Sequence, residues 1–168
     1  IPNEVLAADE RIGDHVRRTP LEFSHFLSSR ASAEVHLKQE NLQRTGSFKF
    51  RGAMNKLLSL SAEERARGVT CASTGNHGAA VACGAQALGI PAIVFAPENA
   101  APGKMAAIEA LGAEVRRIGD DCLVSEAAAR AFTSEAGLTY ISPYNDEMVV
   151  AGQGTIGCEI ARELETAD

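Results

Sequence analysis

Apolar positions along this chain fall into short runs that alternate with stretches of helical spacing. Val69-Thr70-Cys71-Ala72-Ser73 is an apolar run of strand length. Gly75 to Gly78 reads as a turn, and Ala79 to Leu88 as a helix of small residues stopped by Gly89 and Pro91. Ala92 to Ala96 is a second strand-like run and Pro97 to Ala101 a loop. Pro102 sits at a helix start that leads into Lys104 to Leu111 and closes at Gly112. Glu114 to Ile118 predicts a third strand, Cys122 to Glu135 a helix closed by Gly137, and Leu138 to Ser142 a fourth strand. This alternation implies βαβ units with right-handed crossovers. The expected fold class is therefore α/β, an open parallel twisted sheet with helices on both faces. Ligands in such sheets sit at the carboxyl ends of strands, beside helix N-termini, which points to the loop from Ser73 to Gly78.

The flanking segments are less regular. Asn3 predicts the cap of a helix running through Asp14. Thr19 to Phe23 and Val35 to Lys38 read as strands. Gly46 to Leu60 carries Phe48, Phe50, Ala53, Met54, Leu57 and Leu58 at helical spacing, with Ser47 as the cap. Pro143 to Glu147 reads as loop, and Glu147 to Ala151 fits no single element. Thr155 to Leu164 predicts a helix with Ile156, Ile160 and Leu164 on one face. The chain opens on Ile1 rather than Met and stops just after a helical pattern, so a fragment of a longer protein is expected.

Composition narrows the function classes. The 168 residues suit one domain or one and a fraction, and 45% hydrophobic with 23% charged residues argues against disorder. The net charge is −6, and basic residues cluster no further than the pairs Arg17-Arg18 and Arg116-Arg117, so nucleic acid is not an expected partner. No apolar stretch reaches the roughly 20 residues that span a bilayer. The N-terminus mixes Glu4, Asp9, Glu10 and Arg11 with apolar residues and is not a signal peptide, which leaves the cytoplasm as the expected location. With 5% aromatic residues and no Trp, Ala and Gly must do much of the packing, so close helix-to-sheet contacts are expected. The cysteines at 71, 83, 122 and 158 show no Cys-x-x-Cys spacing and no His at a metal-finger distance. They read as four reduced, mostly buried thiols, with no metal site.

Candidate chemistry centres on one of the four lysines, at 38, 49, 56 and 104. A lysine attacks an aldehyde only through its neutral amine, a form favoured by apolar or cationic surroundings. Lys49 lies between Phe48 and Phe50 at a predicted helix start, which suits that need. A side chain that snorkels from a half-buried helix is the other reading of the same residues. Downstream, Ser73-Thr74-Gly75-Asn76-His77-Gly78 joins a strand to a helix. Its free backbone N–H groups suit an anion such as a carboxylate, although Asn and His could equally serve as caps.

The wider segments carry a family resemblance. Thr45-Gly46-Ser47-Phe48-Lys49-Phe50-Arg51-Gly52-Ala53 resembles the cofactor-lysine motif of the threonine dehydratase and serine racemase family of pyridoxal-phosphate enzymes, with every fixed position present. Ser73 to Gly78 resembles the family's substrate-carboxylate loop, and Pro143-Tyr144-Asn145 through Gly152-Gln153-Gly154-Thr155 a third family segment. The resemblance runs from Thr19-Pro20-Leu21 to Glu159-Ile160 and covers the first half of the family pattern. It implies that Lys49 carries pyridoxal phosphate, that Phe48 packs on its ring, and that Asn76 bonds its phenolic oxygen. It implies that Ser73, Thr74, Gly75, Asn76 and His77 embrace the substrate carboxylate, and that Asn145 faces the substrate. Thr74 stands where racemising members place a serine as acid/base opposite the lysine.

A hydroxyl is kept there, but the bulkier threonine favours dehydration. The implied activity is β-elimination from L-threonine, L-serine or a related hydroxy amino acid, giving a 2-oxo acid and ammonia. Amino-acid racemisation on the same scaffold, or a catalytically incomplete fragment, are the alternatives. The resemblance also implies a division into a small parallel α/β domain, residues 46–142, and incomplete parts of a second, larger α/β domain at 1–45 and 143–168. A homo-oligomer is expected at full length. The family's later glycine-rich loop for the cofactor phosphate, the hydroxyl that faces the ring nitrogen and the metal ligands of some members fall outside this segment. Gly152-Gln153-Gly154-Thr155-Ile156-Gly157 also fits a dinucleotide fingerprint, Gly-x-Gly-x-x-Gly, but a preceding strand is doubtful. A glycine-rich turn at a helix start is the preferred reading of that segment.

Overall fold

The computed structural model describes residues 2–164 and 166. In chain order the elements are α1 (Pro2–Ile12), β1 (Leu21–Phe23), α2 (His25–Ala31), β2 (His36–Lys38), a 3-10 turn (Glu40–Leu42), α3 (Lys49–Ser59), α4 (Ala62–Arg67), β3 (Val69–Ala72), α5 (Asn76–Leu88), β4 (Ala92–Ala96), α6 (Pro102–Glu109), β5 (Glu114–Arg117), α7 (Cys122–Ala136), β6 (Thr139–Tyr140) and α8 (Glu147–Glu163). β3 to β6 form one parallel sheet in the order β5-β4-β3-β6, and β1 pairs antiparallel with β2. The chain thus starts its sheet at β3, grows outward through β4 and β5, then returns to the other side of β3 with β6. The crossovers from β3 and towards β6 diverge there, which leaves a crevice beyond the carboxyl ends of those two strands.

Side-chain alternation places helices on both faces, as expected. Thr70 meets Thr133 of α7 hydroxyl to hydroxyl, and Phe95 stacks on Phe132 of the same helix. On the other face, a Cβ added to Gly78 of α5 would touch Val94 and Ile108 side chains at 3.1 Å. Gly84 is tighter still, with Leu57 of α3 at 2.7 Å from that position. Ala80, Val81, Ala82 and Ala85 complete an α5 face that is fully buried. The small residues therefore bring α5 close to both sheet and α3, the contact that a composition poor in aromatics requires.

Local chemistry sets the element ends. Gly89 and Gly137 adopt φ 66° at the C-termini of α5 and α7, a left-handed geometry that favours glycine. Asp121 caps α7 by accepting from Leu123 and Val124, and Asp146 caps α8 by accepting from Met148 and Val149. Ser61 and Glu64 form a reciprocal capping box on α4. That helix, α2 and the 3-10 turn have no counterpart in the apolar periodicity, because they are short and none of their residues is buried.

Several sequence expectations are corrected. The first helix begins at Pro2, so Asn3 lies within it and is not its cap. α3 begins at Lys49, and the Ser47 hydroxyl accepts from the Lys49 N–H, at 3.2 Å, one residue outside the cap position. Asn76 to Gly78 form the first turn of α5 and are not a free turn. The strand expected over Leu138 to Ser142 is confined to Thr139–Tyr140. Glu147 to Ala151 and Thr155 to Leu164 belong to one helix, α8, with Gly152 to Gly157 in its interior. The strand-turn-helix that a dinucleotide fingerprint needs is absent there, and so is the glycine-rich turn. The reason is packing, since a Cβ on Gly152 would lie 2.6 Å from the Arg51 carbonyl oxygen and 2.8 Å from the Gly52 Cα. The glycines let α8 and α3 cross backbone to backbone. Of the cysteines, none forms a disulfide; Cys71 is buried, and burial pushes its thiol up to about 12, but Cys122 is exposed.

This crossing predicts opposite signs for two Gly→Ala changes in one helix. Gly152→Ala should destabilise the protein by about 1–3 kcal/mol through backbone overpacking. Gly157→Ala, where an added Cβ meets nothing within 4 Å, should stabilise it by up to about 1 kcal/mol. Urea denaturation midpoints of the two variants check both.

Candidate functional site

The site is built where α3, α5 and the segment after β6 meet. Lys49 opens α3 with its side chain half-buried. Its Nζ donates to the Pro143 carbonyl oxygen at 3.2 Å and lies 5.2 Å from the centre of the Phe48 ring. The other lysines are differently placed. Lys38 is salt-bridged to Glu159 and Glu163, Lys56 to Asp146, and Lys104 is exposed. Among the described residues, the Lys49 Nζ donates to a neutral carbonyl and forms no salt bridge with a carboxylate.

β3 delivers the opposite wall. Ser73 N–H donates to Phe95 O, and Ser73 Oγ accepts from Gly75 N–H at 3.2 Å, which shapes the loop into α5. α5 begins at Asn76 with no side-chain cap, and a helix start leaves its first N–H groups without intrahelical partners. His77 is 4% exposed, and its Nε2 lies 3.0 Å from Ile141 O. A carbonyl only accepts, so Nε2 carries the proton; Nδ1 is buried without a partner. Burial, helped by the nearby Lys49 charge, lowers the imidazole to about 4, against the opposing pull of the Ile141 bond, so His77 is neutral near pH 7.

These groups line one cleft of about 370 Å³. Its walls include Lys49, Ser73, Thr74, Gly75, Asn76 and His77, which the sequence singles out. Phe48 and Asn145 are not among its lining residues. Phe48 is 41% exposed outside the cleft, and Asn145 sits in a separate recess with Glu4 and Val150, accepting from Ser142 Oγ at 3.0 Å. The cleft also takes Phe95, Lys104, Cys122, Glu126, Pro143 and Tyr144. Phe95 lies in β4, a strand that the apolar pattern marks; periodicity gives no signal for the others, because they come from loops after different strands and from helix starts. Glu126 is occupied by Arg130, whose Nη2 donates to it at 2.7 Å. Among the described residues, no group of three or more His, Cys, Asp or Glu is arranged to hold a metal ion, and no helix is long and apolar enough to cross a membrane.

Behind Lys49, the Arg51 guanidinium is fully buried. It donates to Glu159 at 2.7 and 3.1 Å, to Glu40 at 2.8 and 2.9 Å, and to Thr155 and the Arg17 carbonyl. Burial disfavours its charge, but the bonds and charges of Glu40 and Glu159 outweigh that and raise its pKa further. Burial likewise pushes the Glu159 carboxyl up, yet Arg51 and Lys38 hold it below the usual carboxylate range.

A parallel sheet with its crevice at the strand-order reversal brings a lysine amine and a helix N-terminus into one cleft of an α/β protein. Residues 12–168 match the family described as "Pyridoxal-phosphate dependent enzyme", and the chain belongs to that family. It is 45% identical over 160 residues to an L-threonine ammonia-lyase of Geobacter sulfurreducens, covering 95% of this chain and 40% of that protein. It is 41% identical over 165 residues to the L-threo-3-hydroxyaspartate ammonia-lyase of Saccharomyces cerevisiae, covering 98% and 51%. Among solved structures, maize serine racemase superposes with a TM-score of 0.94 at 31% identity, covering 99% of this chain and 50% of that one. The processed form of threonine deaminase isoform 2 from Solanum lycopersicum gives 0.91 at 38% identity, covering 97% and 44%. The chain spans about half or less of the length of these relatives.

The family's cofactor fits the residues present. An aldehyde needs an amine free of carboxylate partners inside a cleft, and Lys49 offers one. The unpartnered Nδ1 of His77 and the start of α5 supply unused polar capacity on the facing wall.

Two outcomes follow from these burials. His77 is lowered from 6.5 to about 4 in the folded state, so the unfolded chain binds the extra proton between those values. The associated stability is present above pH 6.5 and is lost on acidification, with a slope of at most about 1.4 kcal/mol per pH unit down to pH 4. Denaturation of His77→Gln against pH should lack that component. Arg51→Leu strands two carboxylates and should cost about 3–5 kcal/mol in the same assay.

Proposed function

We propose that the protein to which this chain belongs is a pyridoxal-phosphate-dependent ammonia-lyase, converting L-threonine, L-serine or a related hydroxy amino acid to a 2-oxo acid and ammonia. The observation that carries the reading is the placement of the Lys49 amine in the same cleft as Ser73 to His77. The similarity to proteins named as threonine and hydroxyaspartate ammonia-lyases supports it.

The residues divide the work. When bound, the cofactor supplies an electron sink for the bond broken at the substrate's α-carbon. Lys49 would hold it through Nζ, and the same amine is placed to move a proton at the substrate's α-carbon. The donors at the start of α5, with the Ser73 and Thr74 hydroxyls, bind the substrate carboxylate and so fix which α-bond stands towards Lys49. Thr74 keeps a hydroxyl opposite the lysine, in the bulkier form that favours elimination over proton return. The assignment of residues 46–142 to a small domain and of 1–45 and 143–168 to parts of a larger one belongs to the same proposal.

Lys49→Ala in the full-length protein should lower 2-oxo acid formation from L-threonine by at least about 10³-fold while the protein still folds. Normal turnover by that variant would remove the reading, and chiral analysis of recovered serine and threonine would reveal racemisation in its place.

A further inference from the structure

His77 does more than line the cleft. Its Nε2–H is bonded to the Ile141 carbonyl at 3.0 Å, and Ile141 N–H donates to Thr70 O of β3 at 2.8 Å. Ile141 and Ser142 are buried, and the next carbonyl, that of Pro143, accepts from the Lys49 Nζ. Proline restricts the backbone at that point. Tyr144 N–H donates to Ser142 Oγ at 3.3 Å, which closes the segment on itself. Thus a strut of three residues runs from an imidazole on α5 to the amine on α3. One end belongs to the helix whose start faces the cleft, the other to the lysine.

On the reading of Lys49 given above, we propose that His77 is a positioning residue. Its Nε2–H pegs the Ile141–Pro143 strut and so sets where the Lys49 amine stands relative to the start of α5. The fixed tautomer suits this role, because Ile141 O demands a donor and a buried neutral ring supplies one without bringing a second cation beside Lys49. A core histidine kept for packing alone would need only its volume, whereas positioning needs a donor at the reach of Nε2. The amide of Gln spans that reach; the amide of Asn falls one bond short.

The test compares His77→Gln, His77→Asn and His77→Leu in the full-length protein, each checked for folding by thermal denaturation. Two readouts are followed: the rate at which Lys49 captures pyridoxal phosphate, by borohydride trapping and mass measurement of the Lys49 peptide, and the split between kcat and KM for L-threonine. His77→Leu and His77→Asn should lose about ten-fold or more in capture rate and kcat with a smaller change in KM, and His77→Gln should recover most of it. Wild-type capture by folded Leu or Asn variants, or a Gln variant no better than Asn, overturns the positioning role. Absence of any Lys49 adduct in the wild-type protein sinks the functional reading itself, an outcome distinct from the other two.

Discussion

A guanidinium with no exposure to water decides the geometry of this molecule. Arg51 cannot be left buried and unpaired, because an uncompensated charge in the interior costs several kcal/mol. Wherever it goes, Glu40 from the 3-10 turn and Glu159 from the far end of the chain must follow, with Lys38 drawn to Glu159 in turn. The cluster ties β2, the 3-10 turn and α3 to α8, whose Glu159 is more than 100 residues further along the chain than Arg51. It also fixes the rotation of α3. Successive helical residues turn by about 100°, so positions 49 and 51 point to nearly opposite sides. Seating Arg51 inward against Glu159 therefore aims Lys49 outward, at the crevice. The backbone contact of Gly52 with Gly152 sets the depth at which that rotation is held.

The crevice itself is a consequence of strand order. β4 and β6 flank β3 on opposite sides, so the connections leaving β3 and β6 part above their carboxyl ends. Into that gap β3 sends the Ser73 loop and β6 sends Ile141 to Pro143. Neither loop alone makes a site. Joined by His77 and Lys49, they bring a helix start and an amine into one cleft, with the His77 imidazole held neutral by its burial. The Pro143 carbonyl accepts from the amine and brings no opposite charge to it.

Much of this is legible in the sequence, and the pattern of what is missed has physical causes. The strands β3, β4 and β5 and the ends of α5 and α7 follow from apolar runs and from Gly89 and Gly137, whose left-handed geometry leaves a local signature. Lys49 and residues 73 to 77 stand out as motifs. The unity of α8 does not, since three glycines in six residues argue against a helix until the tertiary contact that needs them is known. α2 and α4 bury nothing, so no periodicity marks them. Pro143, Lys104, Cys122 and Glu126 reach the cleft only because β6 and β4 neighbour β3 and because α6 and α7 start at their strand ends. That is a fact of strand order, which a one-dimensional pattern does not carry.

The same geometry bears on how the two walls move. Buried contacts tie the wall that carries Lys49 to the wall that carries the start of α5. Sliding α5 away from the segment after β6 would break the His77–Ile141 bond, and sliding it away from α3 would strip Gly84 from Leu57; rotating α3 would expose Arg51 or part it from its carboxylates. Each motion uncovers a buried polar group with no water to replace its partner, a cost of about 1–3 kcal/mol for a neutral group and more for a charge. The exposed residues of the cleft, Lys104, Cys122 and Tyr144, lie outside these buried contacts.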